Sequence, residues 1–282
     1  MTTRPNAGET LGQYRLLELI GEGGVGVVFR AEGEDGNEVA LKILKEELAR
    51  DETIRHRFAR EALAAQAIVH KHLVPVIDAG EVDGLCYLAA QYCADGSLAD
   101  RIRTRGPLSV PETLRVAAGV ASALGVLHDR GIIHRDVKPT NVLLDGGEAL
   151  LTDLGVLRGK DFSSVTRSGH LIGTSLYLAP ELIEGKEATP ASDTYALGCT
   201  IFECLTGKPP FSGRSVFEVA MAHLGEEPPD ACDLRSDLRA SIASVLRYAL
   251  EKAPGDRPPS AIAYATMLGV AARGLNEGDA GF

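Results

Sequence analysis

The amino-acid sequence predicts an α+β protein of two lobes, in which a small β-rich N-lobe with one helix precedes a larger, mainly helical C-lobe. Short runs of β-branched residues, separated by turn pairs, dominate the chain up to about residue 91. Long segments rich in Ala and Leu, with the periodicity of helices, follow the stretch ADGSL at 94–98. At 282 residues the chain is long enough to form a separate core in each lobe.

The strands of the N-lobe are defined by apolar runs and by the turn residues between them. Strands are predicted over 14–24, 25–32, 37–44, 73–81 and 85–92. Asp35-Gly36 and Asp83-Gly84 are pairs typical of hairpin turns, and each separates two of these runs. The N-lobe is therefore expected to be built from consecutive antiparallel hairpins.

Helical periodicity is found once in the N-lobe and several times after it. Helices are predicted over 52–70, 110–130, 192–206, 216–224 and 238–252. In the first of these, the apolar residues at helical spacing are Phe58, Ala62, Ala65 and Val69. We expect one domain with two lobes and flexible ends, with the bounds 14–92 for the N-lobe, 93–273 for the C-lobe, and 1–13 and 274–282 for the ends.

The composition is that of a soluble globular protein, with 45% hydrophobic and 24% charged residues. The net charge of −10 argues against nucleic acid or anionic lipid as the main partner. The N-terminus has no apolar signal segment, and the longest apolar run, at 116–127, is too short to span a bilayer. We therefore expect no membrane segment in this chain and a cytoplasmic location, either alone or as the cytoplasmic domain of a longer membrane-anchored protein.

The cysteines and histidines are weak candidates for metal sites. The five cysteines contain no C-x-x-C pair, and their odd number fits reduced thiols in a cytoplasmic compartment better than a disulfide framework. The triplet HKH places His70 and His72 two residues apart, which leaves a metal site as an alternative to a simple turn.

A glycine-rich stretch, GEGGVGVV, spans the end of the first predicted strand and the start of the second. It contains the pattern G-x-G-x-x-G-x-V, with Gly21, Gly23, Gly26 and Val28 at the defined positions. Dinucleotide binding needs a helix directly after the glycines, and here a strand and a hairpin follow instead. Two interpretations remain, a loop whose backbone covers phosphate groups and a flexible hairpin tip.

Lys42 lies in the run VALKIL, on the strand face opposite Val39, Leu41 and Ile43. A solvated face would explain a lysine there. Glu61, however, falls on the apolar side of the next predicted helix, where a carboxylate is costly unless a cation meets it. Lys42 is the candidate for that cation.

The stretch HRDVKPTN, at 134–141, concentrates charged and polar groups in a segment that a proline interrupts. Asp136 is suited to accept a proton from a hydroxyl, and Lys138 to neutralise a transferring anionic group. Asn141 offers an amide oxygen, and Asp153 adds a carboxylate at the end of an apolar strand. Both are hard oxygen ligands of the kind that Mg²⁺ prefers. A polar loop with unrelated helix caps is the alternative for each residue alone, but their joint order favours a catalytic site.

The order of these motifs resembles the catalytic domain of eukaryotic-type (Hanks-type) serine/threonine protein kinases, in its bacterial branch. The resemblance runs from about Tyr14 to Ala271 and includes the later stretches GTSLYLAPE, SDTYALG and PGDRP. It implies the two-lobed protein kinase fold, with a helix C in the N-lobe, and transfer of the γ-phosphoryl group of ATP with Mg²⁺ or Mn²⁺. It also implies protein substrates with Ser or Thr hydroxyls, and a homodimer as one arrangement for autophosphorylation in trans.

The resemblance implies a role for individual residues. Those similar to the ATP-binding positions of the family are Ile20, Gly21, Gly23, Gly24, Gly26, Val28, Ala40, Lys42, Gln91, Cys93 and Leu143. Ala90 resembles the residue that limits the space behind adenine. The residues similar to the catalytic group are Asp136 as the base, Lys138, Thr174, and Lys42 with its partner Glu61. Asn141 and Asp153 resemble the metal ligands, Asp193 the helix anchor, and Arg257 the partner of Glu181.

Departures from the family pattern are few. Leu154 replaces the usual phenylalanine after Asp153, Ala65 is small, and HKH replaces the usual H-P-N turn. Because no catalytic group is lost, an active enzyme is expected; the alternative is a pseudokinase, a folded scaffold that binds without turnover. Thr166 and Ser168 resemble activation-loop phosphosites of bacterial relatives, so autophosphorylation is expected there.

Overall fold

The structure is a computed structural model that describes residues 5–153, 175–213 and 215–274. Two compact units divide the chain, Met1–Ala94 and Asp95–Phe282. The division falls two residues after the boundary expected between 92 and 93. Thr174 and the segment 154–173 lie outside the described residues, and so does the side chain of Glu61.

The N-terminal unit is built on an antiparallel sheet of six strands in the order β1-β2-β3-β4-β6-β5. The strands are β1 Thr10–Leu11, β2 Tyr14–Glu22, β3 Gly26–Glu32, β4 Glu38–Leu44, β5 Val76–Val82 and β6 Leu85–Gln91. The short strand β1 lies within the segment expected to be a flexible end, and it pairs with the start of β2. Pairing of its backbone groups orders this segment, although so short a strand has no recognisable sequence pattern.

The sheet curls so that its two ends meet at Asp78. Tyr14, from β2, and Tyr87, from β6, donate their hydroxyls to the same carboxylate oxygen, at 3.0 and 2.9 Å. Gln13 donates to that oxygen at 3.2 Å. Asp78 lies at an irregularity in β5, where the register with β6 shifts. Burial first, and then the Asp78 carboxylate, raises the pKa of Tyr87 to about 12.

Replacing Asp78 by Ala is expected to lower the free energy of unfolding by about 2–4 kcal/mol, because two buried tyrosine hydroxyls lose their acceptor. Chemical denaturation followed by tyrosine fluorescence measures this, since the chain has seven Tyr and no Trp. Glu34→Ala, at an exposed turn of the same unit, is the control and should change stability little. A loss in the Asp78 variant no larger than in the control would contradict the role of this contact.

Two helices belong to the N-terminal unit, α1 Glu46–Ala49 and α2 Glu52–Gln66. The Asp51 side chain caps α2 by accepting the backbone N–H groups of Thr53 and Ile54. The predicted end of this helix at residue 70 is wrong, because α2 ends at Gln66. Residues after Gln66 do not continue the helix, so helical spacing no longer determines which side chains are buried. Val69 is 90% exposed, and Ile68 is buried instead.

The triplet HKH forms part of the turn after α2. The backbone N–H of His72 donates to Nδ1 of His70 at 3.3 Å, and that of Leu73 donates to the His70 carbonyl at 3.0 Å. Among the described residues, no three His, Cys, Asp or Glu side chains gather closely enough to hold a metal ion. All five cysteines are free thiols.

The C-terminal unit is mainly helical. Its helices are α3 Leu98–Arg105, α4 Val110–His128, α5 Pro180–Ile183, α6 Pro190–Thr206, α7 Val216–Gly225, α8 Ala231–Leu234, α9 Ala240–Ala249 and α10 Ala261–Arg273. A hairpin of β7 Val142–Asp145 and β8 Glu148–Leu151 precedes the segment outside the described residues.

Helix α4 is central to this unit and packs against α6, α10 and β8. Among the described residues it is the one helix long and apolar enough, by length and composition, to cross a membrane. Half of that apolar window is buried inside the unit, as is common for a core helix, so the finding is weak evidence for a span. The helix begins with a capping box of Ser109 and Glu112.

Candidate active site

One face of the N-terminal sheet carries several of the residues predicted to bind nucleotide. Val28 pairs with Gly21 on one side and with Lys42 on the other. Ala40 pairs with Ala90. Directly paired residues in an antiparallel sheet point to the same side. The predicted alternation is confirmed, because the neighbouring positions Val39, Leu41 and Ile43 are buried in the core on the opposite face.

The glycines at the turn between β2 and β3 differ in how far packing explains their presence. At Gly26 a Cβ atom would lie 2.3 Å from the carbonyl oxygen of Ile43, so the close approach of β3 to β4 requires glycine. At Gly23 and Gly24 a Cβ atom would meet nothing within 4 Å. Packing therefore explains the third glycine of the motif but gives no reason for those at the loop tip. Ile20, at the end of β2, is exposed.

The end of β6 leads into the segment predicted to meet adenine. Ala90 and Cys93 are buried, and Gln91 is partly buried. The backbone N–H of Gln91 donates to the carbonyl of Pro75 at 3.0 Å. Any hydrogen bond between the Gln91 backbone and a ligand would therefore be one that the Gln91 carbonyl oxygen accepts. In the C-terminal unit, Leu143 lies in β7 and is partly buried.

Three of the predicted catalytic and metal-binding residues converge in the C-terminal unit. The Asp136 carboxylate accepts a hydrogen bond from Nζ of Lys138 at 3.0 Å and one from Nδ2 of Asn141 at 2.9 Å. Nδ2 of Asn141 also donates to the Asp136 carbonyl at 2.9 Å. A 3₁₀ turn over Pro139–Asn141 brings the amide back to the carboxylate, and the proline supplies the fixed backbone angle at its first position.

Asp153 is held next to this group by the backbone of Thr152. The N–H of Thr152 donates to the carbonyl of Asn141 at 3.0 Å, and its own carbonyl lies 3.0 Å from Nε2 of His134. Asp153 follows with φ of +56°, in the left-handed region that residues other than glycine rarely adopt. Strained backbone of this kind is concentrated at functional sites. Asp153 as a residue is exposed.

A buried carboxylate fixes the backbone just before Asp136. Asp193, in the first turn of α6, accepts the backbone N–H groups of His134 and Arg135, each at 2.8 Å. Arg135 has φ of +66°, so these two bonds hold a strained residue in place. The ring of His128 also lies 2.8 Å from Asp193, through Nε2. His128 was not predicted from the sequence, where its one signal is a polar residue in the last turn of an apolar helix.

A second buried pair lies further along the unit. Arg257 donates two parallel hydrogen bonds to the Glu181 carboxylate, both at 2.8 Å, and both side chains are buried. Ser192 donates to the same carboxylate at 2.7 Å. Burial by itself would raise the pKa of Glu181, but the bonds from Arg257 and Ser192 outweigh it and hold the pKa below its ordinary value. The predicted partnership of Glu181 and Arg257 is confirmed.

A small pocket connects the catalytic loop with the chain before α5. Its lining includes Arg135 and Asp136 and, from the later segment, Tyr177, Leu178 and Ala179. Thr174, three residues before Tyr177, lies outside the described residues. The pairing of Lys42 with Glu61 stays a prediction, because the Glu61 side chain is also outside them.

The fold and these clusters define the chain as a protein kinase domain. A profile of the family described as "Protein kinase domain" matches residues 14–266, and the chain belongs to that family. The crystal structure of the PknI kinase domain of Mycobacterium tuberculosis superposes with a TM-score of 0.75 at 30% identity, covering 96% of this chain and 100% of that one. Both the predicted family and the predicted fold are confirmed.

Curated relatives are bacterial serine/threonine-protein kinases. A probable serine/threonine-protein kinase of Corynebacterium efficiens is 39% identical over 273 residues, which is 93% of this chain and 41% of the relative. PknE of Mycobacterium tuberculosis is 36% identical over 258 residues, 91% of this chain and 45% of the relative. PrkC of Bacillus subtilis is 36% identical over 248 residues, 87% and 38% respectively. The chain thus spans less than half the length of these relatives.

Proposed function

We propose that the chain transfers the γ-phosphoryl group of ATP to serine and threonine hydroxyls of proteins. One observation supports this most strongly, the convergence of Lys138 and Asn141 on the Asp136 carboxylate, with Asp153 tied beside Asn141. A base, a cation and two oxygen ligands in one place are the groups that phosphoryl transfer to a hydroxyl requires. The relatives named above are serine/threonine kinases, which supports the same residue type for the acceptor.

Asp136 would orient the acceptor hydroxyl and take its proton. Two donors hold the carboxylate, so it reaches the reaction already oriented and little reorganisation is needed. The ammonium of Lys138 lies 3.0 Å from the carboxylate, close enough to offset the negative charge of a phosphoryl group that arrives there. Thr174 is proposed to act with them.

Asn141 and Asp153 fit the binding of a divalent metal ion. Both hydrogen bonds from the Asn141 side chain to Asp136 are made by Nδ2, so the amide oxygen takes no part in them. Asp153 is an exposed residue. Both are hard oxygen donors, which suits Mg²⁺, and Mn²⁺ in its place. The metal, when bound, would neutralise charge on the phosphates of ATP.

ATP would be held by residues of the N-terminal unit together with Leu143. Lys42 is proposed to pair with the phosphates, and the backbone at Gly21, Gly23, Gly24 and Gly26 to cover them. The absence of any packing requirement at Gly23 and Gly24 supports this, since a ligand then gives the reason for glycine. The remaining proposed contacts are Ile20, Val28, Ala40, Gln91 and Cys93.

Incubation with ATP and Mg²⁺, followed by phosphosite mapping by mass spectrometry, tests the proposal. We expect phosphate on Ser and Thr only, with Thr166, Ser168 or both modified and lower activity in the Thr166→Ala/Ser168→Ala variant. The reason is charge: a phosphate adds roughly two negative charges, which Arg135 can meet. ATP binding without any phosphate transfer would instead identify a pseudokinase scaffold, and full activity with both positions unmodified would exclude this activation step.

The cellular location, the substrates and the oligomeric state are proposals as well. We propose that this domain works in the cytoplasm, on protein substrates, and that it forms homodimers when it phosphorylates itself in trans. The free state of all five cysteines supports a reducing compartment.

A further inference from the structure

We propose that the exposed face of α7 is a docking surface for a second copy of this chain, and that it contacts the exposed face of α2 of that copy. The inference rests on the kinase activity proposed above, since it names a surface through which one copy binds another for phosphorylation. None of the residues that carry it belongs to the catalytic group described above.

Helix α7 is apolar on both its inner and its outer side. Val219 and Ala220 are buried, as expected for the inner side of a surface helix. Phe217 and Met221, however, are 72% and 50% exposed. They are four residues apart, so they are neighbours on one face of the helix. The residues that the structure describes leave this face open, and an exposed apolar face with charged neighbours is typical of an interaction surface.

Negative charge borders this face at the end of the helix. Glu226 and Glu227 follow α7 directly, and both are exposed. Lys252 lies within electrostatic range of the two carboxylates. Its ammonium group, however, donates to the carbonyl oxygens of Ala222 and His223. A partner that fits this surface therefore presents an apolar side chain together with positive charge.

The exposed face of α2 has that chemistry. Leu63 is 67% exposed, and Arg57 and Arg60 are exposed on the same helix. The three residues follow one another at intervals of three, which places them along one side of the helix. Glu52, the acidic residue in the first turn, contacts His56 at 3.5 Å. The two arginines therefore give this face its positive charge.

The spacing of apolar and charged residues matches between the two helices. Leu63 lies six residues after Arg57, and Met221 lies six residues before Glu227. At a helical rise of 1.5 Å per residue, each separation is about 9 Å. With the helices antiparallel, Leu63 meets Met221 while Arg57 meets Glu227. The arginines then also lie at the C-terminal end of α7, where the helix dipole favours positive charge.

A second copy of the chain supplies the face that each copy lacks. The contact is heterologous, because α7 of one copy binds α2 of the other. Two short helix faces bury less than the 1,200–2,000 Å² typical of stable complexes, so we infer a transient contact. Its effect is expected in the rate at which one copy phosphorylates another rather than in a stable dimer.

Charge reversal in two chains tests the contact, with the tagged Asp136→Asn chain as phosphate acceptor. Glu226→Arg/Glu227→Arg in both enzyme and acceptor sets arginine against arginine, and the rate of transfer should fall about fivefold to thirtyfold. Kept in the enzyme alone, with Arg57→Glu/Arg60→Glu in the acceptor, it restores opposite charges. The rate should then return to within about threefold of the wild-type pair.

A peptide of residues 160–176 is the control substrate, because it supplies hydroxyls without either helix. All enzyme variants should phosphorylate it within about twofold of the wild-type rate. The acceptor substitutions alone, combined with wild-type enzyme, should not raise the rate of transfer. Failure of the mixed pair to recover, or a parallel loss on the peptide, would overturn docking of α7 on α2.

Phe217→Ala in both chains tests the apolar part of the surface independently of charge. We expect transfer between chains to slow about threefold to tenfold, since part of one aromatic side chain is no longer buried on docking. The melting temperature should stay within about 2 °C, because the residue is exposed. Ile262→Ala, at a 53% exposed position of α10, is the matched control and should leave transfer unchanged.

Equal rates for the Phe217 variant and its control would also overturn the proposal. A wild-type chain that transfers phosphate neither to the acceptor nor to the peptide would instead contradict the kinase activity on which the proposal rests.

Discussion

Replacing Asp136 by Asn is expected to lower the rate of phosphoryl transfer by about 10²- to 10⁴-fold, the usual contribution of a positioned acid or base. The change is nearly isosteric and leaves an oxygen to accept from Lys138 or Asn141, so the loop should keep its shape. ATP affinity should stay within about twofold of the wild type, because the carboxylate acts on the hydroxyl and not on the nucleotide. Initial rates and calorimetric binding of ATP measure the two quantities separately.

Asp129→Asn is the matched control for this substitution. Asp129 is exposed at the end of α4, where loss of a negative charge is harmless or slightly favourable to the helix. It should leave the rate unchanged. Wild-type activity in the Asp136 variant, with a normal control, would contradict the assignment of the base.

Replacing Arg257 by Met is expected to lower the free energy of unfolding by about 3–5 kcal/mol. The substitution leaves the Glu181 carboxylate buried with Ser192 as its remaining side-chain donor. It also removes donors from three backbone carbonyls, those of Ala191, Glu251 and Lys252. Urea denaturation at pH 7 measures the loss, and a value below about 1 kcal/mol would contradict the structural role of the pair.

The double variant Glu181→Met/Arg257→Met should recover part of this stability, because no unpaired charge is then buried. Recovery should be incomplete, since the three carbonyls still lack their donor. The ion pair of Glu181 and Arg257 also determines how the free energy of unfolding depends on pH. The pKa of Glu181 is lowered in the folded wild type, so the stability that it contributes is present at neutral pH and is lost as the pH falls from the ordinary glutamate pKa through the lowered pKa of the folded state.

In the Arg257→Met variant, the contribution of Glu181 to stability changes with pH in the opposite direction. A buried carboxylate without its cation has a raised pKa, so protonation relieves the unfavourable charge as the pH falls. The difference in stability between wild type and variant should therefore be largest near pH 7 and should shrink toward pH 4. A difference that grows on acidification would contradict this account of Glu181.

The regular parts of the fold could be predicted from local patterns. Alternation in VALKIL placed Leu41 in the core and Lys42 on the opposite face, and both placements are found. Strand β1 and the early end of α2 could not be predicted in this way. Strand β1 depends on pairing with β2, and the end of α2 depends on the turn that His70 stabilises. Neither interaction leaves a periodic pattern in the sequence.

The candidate site could be predicted only where its residues are close in sequence or match a known family. Asp136, Lys138 and Asn141 lie within six residues, and their convergence follows from one turn. Asp193 meets the same loop from 58 residues away, and its role was recognised by resemblance rather than by spacing. His128 left no such signal, because Asp193 is brought next to it only by the packing of α4 and α6.

Phosphate transfer from the wild-type chain to a tagged Asp136→Asn chain tests the central proposal most directly. The two chains are incubated with ATP and Mg²⁺, separated by the tag and analysed by mass spectrometry, with EDTA as the metal-free control. We predict phosphoserine or phosphothreonine on the protein, ADP formed in proportion, and no transfer with EDTA. Bound ATP with no phosphate on either chain would contradict the proposal.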